Sequence, residues 1–253
     1  MTTPLIVNWP GSLLRATTSS FMLGSLNGYS QPLFSAAALP FADPFEQRWQ
    51  ITLQSPPMPS RELTSQNGKT LATWHEVEGR IAKLRGINRA LRLYDPLCVR
   101  PQYDDEQIAT LSSWSGGRSW SGGRKWASGF LAPSLTVDEA AATGATSVVV
   151  RGLIASKSRV LRIGDRFEGM PSGVRVTFGH YYIVTEDSPS DASGKTRLNF
   201  EPGLRAGLNV GDAILLRCPT TVASLIDDKQ GQVSRNLNLG SFGFSLIERL
   251  PLN

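Results

Sequence analysis

The sequence predicts a mainly β protein with one flanking α-helix, in which a β-sandwich core carries an inserted small β-barrel or sandwich. Short runs of alternating apolar and polar residues recur along the chain, as half-buried strands require. The 24 glycines and 16 prolines that punctuate these runs are typical of short strands joined by turns. Only one segment has the periodicity of an amphipathic helix.

The first clear strand is predicted at 48–54, where Trp49, Ile51 and Leu53 alternate with polar residues. One face of this strand should therefore be buried. The proline-rich run at 55–60 should end it, because proline cannot donate a ladder hydrogen bond.

A single helix is predicted at about 71–86. Thr73 and Glu76 have the spacing of a capping box at its start, and Gly86 is a suitable C-terminal stop. Its apolar residues recur every three or four positions and form one stripe. The residues expected to form this helix core are Trp74, Val77, Ile81 and Leu84.

Three segments make up the predicted domain organisation. Residues 1–137 form the sandwich core with the helix, and 138–219 form the small β-domain, because short apolar strands and turns dominate there. Residues 220–253 are again similar in pattern to the core segment. We expect their terminal strand, at 242–248, to pair with the first domain, which makes 138–219 an insertion.

A tandem Ser-Trp-Ser-Gly-Gly-Arg repeat occupies 113–124 and places Trp114, Trp120 and Trp126 six residues apart. An extended segment would present all three rings on one face. Such a row can stack on sugars or bases, but packing in a core or a subunit interface is the favoured interpretation, because Trp is enriched at interfaces.

Composition excludes several classes of function. The net charge of +5, from 26 basic and 21 acidic residues, is too balanced to indicate a charged partner. Cys98 and Cys218 have no CxxC or Cys/His context, so we predict no metal and expect reduced thiols. The chain lacks an apolar run of ~18 residues, which predicts no membrane anchor. Its N-terminus does not have the pattern of a secretory signal.

The sequence also offers few candidate catalytic residues. The two histidines, His75 and His180, have no partner set in sequence, and no nucleophile or phosphate-binding motif is present. Asp165 and Asp212 lie in turn-like sequence, where aspartate supports local hydrogen bonding. We therefore predict that the protein is not an enzyme and has no cofactor.

A family resemblance rests on the order of short motifs across residues 45–250. These motifs are Thr73-Trp74-x-x-Val77-x-x-x-Ile81-x-x-Leu84-Arg85-Gly86, Leu91 to Pro96, Gly144 to Gly152, Leu161-x-x-Gly164-Asp165, Asp191-x-x-Gly194, Glu201 to Arg205 and Phe244 to Glu248. Their order resembles the distal tail proteins of long-tailed, siphovirus-type bacteriophages. The Trp repeat is not part of that pattern.

The resemblance implies a tail-tube-like sandwich core with an inserted, OB-like domain. It also implies a structural virion protein whose hexameric ring joins the tail tube to the host-facing tail tip and surrounds the passing genomic DNA. The implied partners are further copies of itself, the tail tube protein, a tail hub or tip protein and the tape measure protein. The implied location is the virion tail tip, assembled in the cytoplasm of the bacterial host.

The ring hypothesis needs a subunit interface. We expect it to include an apolar arm near 36–45 or the Trp-rich ribbon at 112–130. The interface candidates are Leu39, Phe41, Phe45, Trp114, Trp120 and Trp126. Two alternatives remain open: a receptor- or carbohydrate-binding tip module that uses the Trp-rich segment 112–129, and a nucleic-acid-binding factor that uses Arg118, Arg124 and Lys125.

Overall fold

A computed structural model of the chain describes thirteen segments. They are residues 6–8, 17–24, 27–30, 39–42, 47–60, 63–64, 70–71, 73–84, 89–102, 134–173, 181–226, 233–236 and 239–250. The described residues fall into two compact units. The sheet unit lies within Met1–Leu97 and Thr220–Asn253, and the barrel unit lies within Cys98–Val176 and His180–Pro219.

The described chain is mainly β and carries one α-helix, as predicted. In the sheet unit the elements before the barrel are β1 Ile6–Asn8, β2 Thr18–Gly24, β3 Asn27–Ser30, β4 Leu39–Ala42, β5 Arg48–Gln54, β6 Met58–Pro59, β7 Leu63–Thr64, β8 Thr70–Leu71, α1 Trp74–Leu84 and β9 Ala90–Tyr94. The barrel strands are β10 Ser134–Glu139, β11 Ser147–Arg151, β12 Arg166–Met170, β13 Tyr181–Val184, β14 Lys195–Glu201 and β15 Ala213–Leu215. The sheet unit resumes with β16 Thr220–Leu225, β17 Val233–Asn236 and β18 Leu239–Glu248.

An eight-stranded mixed sheet organises the sheet unit, with the strand order β1-β9-β16-β18-β5-β2. The remaining two strands, β17 and β6, both pair with the first half of the long β18. Only the β1–β9 pair of this sheet is parallel. The strand predicted at 48–54 is confirmed as β5, and its alternation buries Trp49, Ile51 and Leu53 as expected.

Helix α1 begins three residues later than the predicted start at 71. The expected capping box is present, with the Thr73 N–H donating to Glu76 Oε2 over 3.3 Å and the Glu76 N–H donating to Thr73 Oγ1 over 3.4 Å. Because Thr73 is the cap, Leu71 lies outside the helix, and it belongs to β8. The predicted stop at Gly86 lies outside the described residues.

The helix packs on β18 through its apolar stripe. Trp74, Val77 and Leu84 are buried, whereas Ile81 is only half-buried. Gly240 of β18 permits the contact, because a Cβ at that position would stand 2.8 Å from Trp74 Cγ. That distance is too short for two carbon atoms, so the close approach of the indole ring requires glycine here.

Six strands close the barrel in the order β10-β11-β14-β13-β12-β15. Three aromatic rings fill its centre. Phe167, Tyr182 and Phe200 contact one another with all three centroid separations at 5.2 Å. Edge-to-face and tilted contacts of this kind favour one arrangement of the rings over others. The Tyr182 hydroxyl also accepts a hydrogen bond from the Arg205 N–H over 3.1 Å.

Two predicted boundaries differ from the structure. The domain boundary placed at 138 falls inside β10, which starts at Ser134 because Leu135 and Val137 already alternate into the barrel core. At 160–167 the sequence predicts a strand and a turn, and the turn is present, since Gly164 has a φ of +91° and the Asp165 carboxylate accepts from the Arg162 N–H. The regular strand there begins only at Arg166.

The chain leaves the sheet unit and returns to it at neighbouring positions. Strand β9 ends at Tyr94, and β16 starts at Thr220, which is the Cα partner of Tyr94 in the antiparallel β9–β16 pair. Residues 95–219 therefore connect two adjacent strands of one sheet.

Candidate assembly interface

The outer edge of β2 lies at one end of the eight-stranded sheet. Strand β2 follows β5 as the last strand of the sheet, and among the described residues no strand pairs with its other side. It is seven residues long and reads Thr-Ser-Ser-Phe-Met-Leu-Gly, without a charged side chain. Long, uncharged edge strands are templates for pairing with another chain. This edge is therefore a candidate site of strand addition.

The opposite edge of the same sheet is formed by β1. This strand has only three residues, Ile6–Asn8, and it runs parallel to β9. The two edges thus differ in length and strand direction. A contact that joins β1 of one copy to β2 of the next would be head-to-tail, which is the geometry from which rings are built.

Interior contacts hold β2 firmly against the sheet. Phe21 is buried opposite Ile51. The Ser19 hydroxyl donates to the buried Asp95 carboxylate over 2.9 Å, and the Leu97 N–H donates to the same oxygen over 3.0 Å. The strand therefore presents a fixed edge, which lowers the entropic cost of pairing with a partner strand.

Part of one exposed face of the sheet, across three strands, carries no charged side chain, and Arg48 lies in the next row of that face opposite Gly24. The nine residues of this uncharged part form three rows across β2, β5 and β18, and we call this surface the neutral face. The rows are Thr18–Gln54–Gly243, Ser20–Thr52–Ser245 and Met22–Gln50–Ile247. The six residues from β2 and β5 and Gly243 are exposed, and Ser245 and Ile247 are half-buried. The hydroxyls of Thr52 and Ser245 lie 3.4 Å apart across the strands.

At the end of β18, the charged residue of a neighbouring pair is buried and the apolar residue is the more exposed one. The sequence places the apolar Ile247 next to the charged Glu248, yet Ile247 lies half-exposed on the neutral face and Glu248 is 1% exposed. The Glu248 carboxylate accepts a hydrogen bond from the Trp49 N–H over 3.1 Å. It therefore acts as a structural acceptor where β5 begins.

The barrel's buried aspartates also hold loops in place. Asp165 accepts from the N–H groups of Arg162 and Gln102, both over 2.8 Å. Asp212 accepts from the N–H of Asn209 over 2.7 Å and from that of Ser172 over 2.8 Å. Each carboxylate closes its own turn, as predicted, and also fastens a segment distant in sequence.

The pKa values of the barrel's aspartates follow from these environments. Burial raises the pKa of Asp165 above its ordinary value, although the N–H groups of Arg162 and Gln102 oppose that shift. At the surface, the Ile163 N–H lowers the pKa of Asp187. The Lys195 N–H and the Ser193 hydroxyl lower that of Asp191. Hydrogen bonds from N–H groups favour the charged carboxylate and lower its pKa, whereas burial favours the neutral form.

A shallow groove of about 250 Å³ lies on the barrel surface. Small and aliphatic residues form its floor, and Glu139 and Arg197 stand at its rim. No aromatic side chain lines it, so this groove does not offer the stacking platform that a sugar-binding site uses.

Most of the predicted interface residues fall where the structure describes no side chain. Trp114, Trp120, Trp126 and Phe45 lie outside the described residues. Leu39 and Phe41 belong to β4, which pairs with β3 away from the eight-stranded sheet. The predictions for these six residues, and the two alternatives based on the Trp-rich segment, stay predictions.

Sequence reasoning missed the β2 edge. The segment at 18–24 is a seven-residue run without charge, proline or internal glycine, but strict alternation is hidden by Phe21, Met22 and Leu23 in succession. The absence of charge over a complete strand was the signal that could have identified it.

Comparison with known proteins adds no identity, since no protein-family model and no curated protein matches the chain. In the described part of the chain, no helix is long and apolar enough to cross a membrane. Likewise, no group of three His, Cys, Asp or Glu side chains within the described segments is placed to hold a metal ion.

Proposed function

We propose that the protein is a structural virion component that closes into a ring of six copies, joins a phage tail tube to the host-facing tip and surrounds the DNA passage. The observation that carries this proposal is the uncharged strand β2, beside whose outer edge the described residues place no further strand. A monomer that exposes such an edge is prone to uncontrolled pairing, whereas a closed ring satisfies every edge with a copy of the same chain.

The number of copies and the neighbours come from the resemblance to distal tail proteins. The order of motifs between residues 45 and 250 supports six-fold symmetry and contacts with a tail tube protein, a hub or tip protein and the tape measure protein. Assembly would take place in the host cytoplasm, and the finished ring would reside at the virion tail tip. Such a protein acts through symmetry and burial, and its function requires no catalytic group.

Electron microscopy of the purified full-length protein tests the ring. We expect six-fold particles with a central opening, and a single-chain species would contradict the proposal. The contribution of β2 is tested with two adjacent proline variants, Ser19→Pro and Ser20→Pro. Alternate residues of a strand direct their N–H groups to opposite sides, so one variant removes a bond to β5 and the other removes an outward-facing donor.

The two proline variants control for each other. The variant that disturbs the β2–β5 ladder should lower the melting temperature more than the other. The better-folded variant should lose the ring, because its outer edge can no longer complete the ladder of the next copy. If the two variants have different melting temperatures and both still form rings, β2 does not contribute to the interface.

A further inference from the structure

We propose that Cys98 and Cys218 form a disulfide when the protein meets an oxidising environment, and that this bond fastens the two ends of the barrel unit together. The inference goes beyond the proposed function and does not depend on the ring. The chain has two cysteines, so within one copy each can pair only with the other. Cys98 is the first residue of the barrel unit, and Cys218 directly precedes its last residue, Pro219.

The backbone brings the two cysteines to neighbouring positions. The Cys218 N–H donates to the carbonyl oxygen of Val99, the residue after Cys98, over 2.9 Å. Standard bond lengths then allow the Cα atoms of Cys98 and Cys218 to lie about 4–10 Å apart. A disulfide needs about 4.4–6.8 Å between its Cα atoms, and this interval lies inside that range. The observed hydrogen bond is therefore compatible with a bridge between residues that are far apart in the sequence.

Irregular backbone removes an obstacle that a regular ladder would impose. In a regular antiparallel pair, residues offset by one position direct their side chains to opposite faces of the sheet. Neither cysteine lies in a strand, however, and Cys218 adopts the left-handed region at a φ of +46°. Non-glycine residues occupy that region rarely, because their Cβ atom approaches the backbone there. Strand alternation therefore does not direct the Cys218 thiol away from Cys98.

The exposure of both cysteines suits a reactive pair. Cys98 and Cys218 are each half-buried, so a small reagent can approach either of them. A completely buried pair would be inert, because the thiolate has to meet the oxidant. The two residues therefore combine proximity along the backbone with access from solvent.

The reaction consists of two thiol–disulfide exchanges with a small-molecule disulfide such as oxidised glutathione. The thiolate of one cysteine attacks a sulfur atom of the oxidant, forms a mixed disulfide and expels one glutathione thiolate. The thiolate of the other cysteine then attacks the protein sulfur atom of the mixed disulfide and expels the second glutathione. The two protons that the cysteines lose go to the two glutathione thiolates. One disulfide and two protein thiols thus give one protein disulfide and two small thiols.

The surroundings of the protein decide which state is present. The reduced thiols expected from the sequence apply to a reducing cytoplasm, whereas disulfides persist in oxidising surroundings. The bridge would close a loop that contains nearly the whole barrel unit. The stabilisation by a disulfide grows with the length of the loop that it closes, because the unfolded chain loses more freedom. The oxidised protein should therefore resist unfolding more than the reduced protein does.

Oxidation of the folded, full-length protein tests the pair. The reduced protein is incubated with oxidised glutathione, the remaining thiols are alkylated, and proteolytic fragments are identified by mass spectrometry without reduction. We expect a single-chain product in which the peptide with Cys98 is linked to the peptide with Cys218. The melting temperature of this product should exceed that of the reduced protein by at least about 5 °C.

The variants Cys98→Ser and Cys218→Ser are matched controls, because each keeps one thiol and cannot form the bridge. Neither should show a rise in melting temperature after the same treatment. A second measurement compares the redox equilibrium of the unaltered protein with glutathione in buffer and in urea. The bridge should be favoured at least about 30-fold more in buffer, since a bond that stabilises the fold is stabilised by the fold in return.

Three results would overturn the inference. The first is attachment of glutathione to both cysteines without a bridge, which would mean that the folded backbone holds the two sulfur atoms apart. The second is a product linked only between chains, which would mean that the thiols face away from each other. The third is a bridge that folding does not favour, with no rise in melting temperature and no preference for buffer over urea.

Discussion

The two units of this protein differ in whether their β-strands leave an open edge. The barrel unit closes six strands on themselves and leaves no strand of the barrel without two neighbours. The sheet unit ends on one side at the three-residue β1 and on the other at the seven-residue, uncharged β2. A closed barrel has no edge to offer a partner, whereas an open sheet does. Among the described strands, only those of the sheet unit therefore offer an open edge for backbone pairing with a partner.

The exposed surfaces of the two units also differ in the charged side chains that they carry. The barrel carries Asp138 between Arg151 and Lys195, and Asp187 with the Arg159 guanidinium at 2.7 Å. The neutral face of the sheet unit has no charged residue at nine positions. Charged side chains keep a surface hydrated, whereas an uncharged open strand edge favours pairing with another chain. Under the proposed function, ring formation would therefore belong to the sheet unit and not to the barrel.

The strongest test of this comparison removes the barrel. Because Tyr94 and Thr220 are paired neighbours, an Asn-Gly turn can replace residues 96–219 and join β9 to β16 as a hairpin. We expect the shortened chain to fold and still form the ring, as seen by electron microscopy. A folded monomer would show instead that assembly needs the removed residues, among them the Trp-rich segment 112–129.

Truncating Trp74 should destabilise the sheet unit strongly. The indole is 7% exposed and packs over Gly240, so Trp74→Ala should cost about 3–5 kcal/mol in the free energy of unfolding. The control is Gly79→Ala on the same helix, where no atom lies within 4 Å of the added methyl group. It should stabilise the protein by about 0.5–1 kcal/mol. A loss of unfolding free energy below about 1 kcal/mol for Trp74→Ala would show that the indole lies outside the core.

Two glycines of the barrel unit test how closely its loops pack against neighbouring backbone. Both Gly194, at a φ of +74°, and Gly211, at +94°, adopt a backbone conformation that favours glycine. A Cβ at Gly194 would also overlap the Leu153 carbonyl oxygen, while nothing lies within 4 Å of one at Gly211. Gly194→Ala should cost about 2–4 kcal/mol and Gly211→Ala about 1 kcal/mol in denaturant melts. Equal losses would mean that the loop beside Leu153 moves away freely.

The smallest expected effect is the pH dependence contributed by Asp165. Its folded pKa is raised by burial, so its contribution to stability is fully present below the ordinary pKa of 3.8 and is lost as pH rises through the folded pKa. The stability of the unaltered protein relative to Asp165→Asn should therefore fall over that window. Urea melts of both proteins below 3.8 and at neutral pH measure the difference. A difference that grows with pH would mean that the bonds from Gln102 and Arg162 outweigh burial.

Local signals in the sequence predicted the local elements well. The alternation of Trp49, Ile51 and Leu53 predicts β5 with its observed bounds, and the Thr73–Glu76 spacing predicts the cap of α1. These predictions succeed because strand alternation and helix capping depend on residues a few positions apart. The domain boundary was placed at 138, inside β10, because Leu135 and Val137 alternate over only a few residues.

The candidate interface depends on long-range contacts that no local pattern contains. Whether β2 is an edge or an inner strand depends on which strands flank it, and that is decided by the pairing of β5, β18 and β16 over a large part of the chain. The neutral face likewise joins residues near 20, 50 and 245, and it exists only in the observed register. A slip of one residue in either pairing would turn a different set of side chains outward.

By itself, the sequence determined the fold class, the helix and its cap, and the strands with regular alternation, because each follows from the chemistry of neighbouring residues. The tertiary structure alone decided that Glu248 is buried while Ile247 faces outward, that β2 ends the sheet, and that the second set of strands closes into a barrel. The physical reason is that side-chain burial and edge exposure are properties of strand partners, and those partners are set by packing between segments distant in the chain.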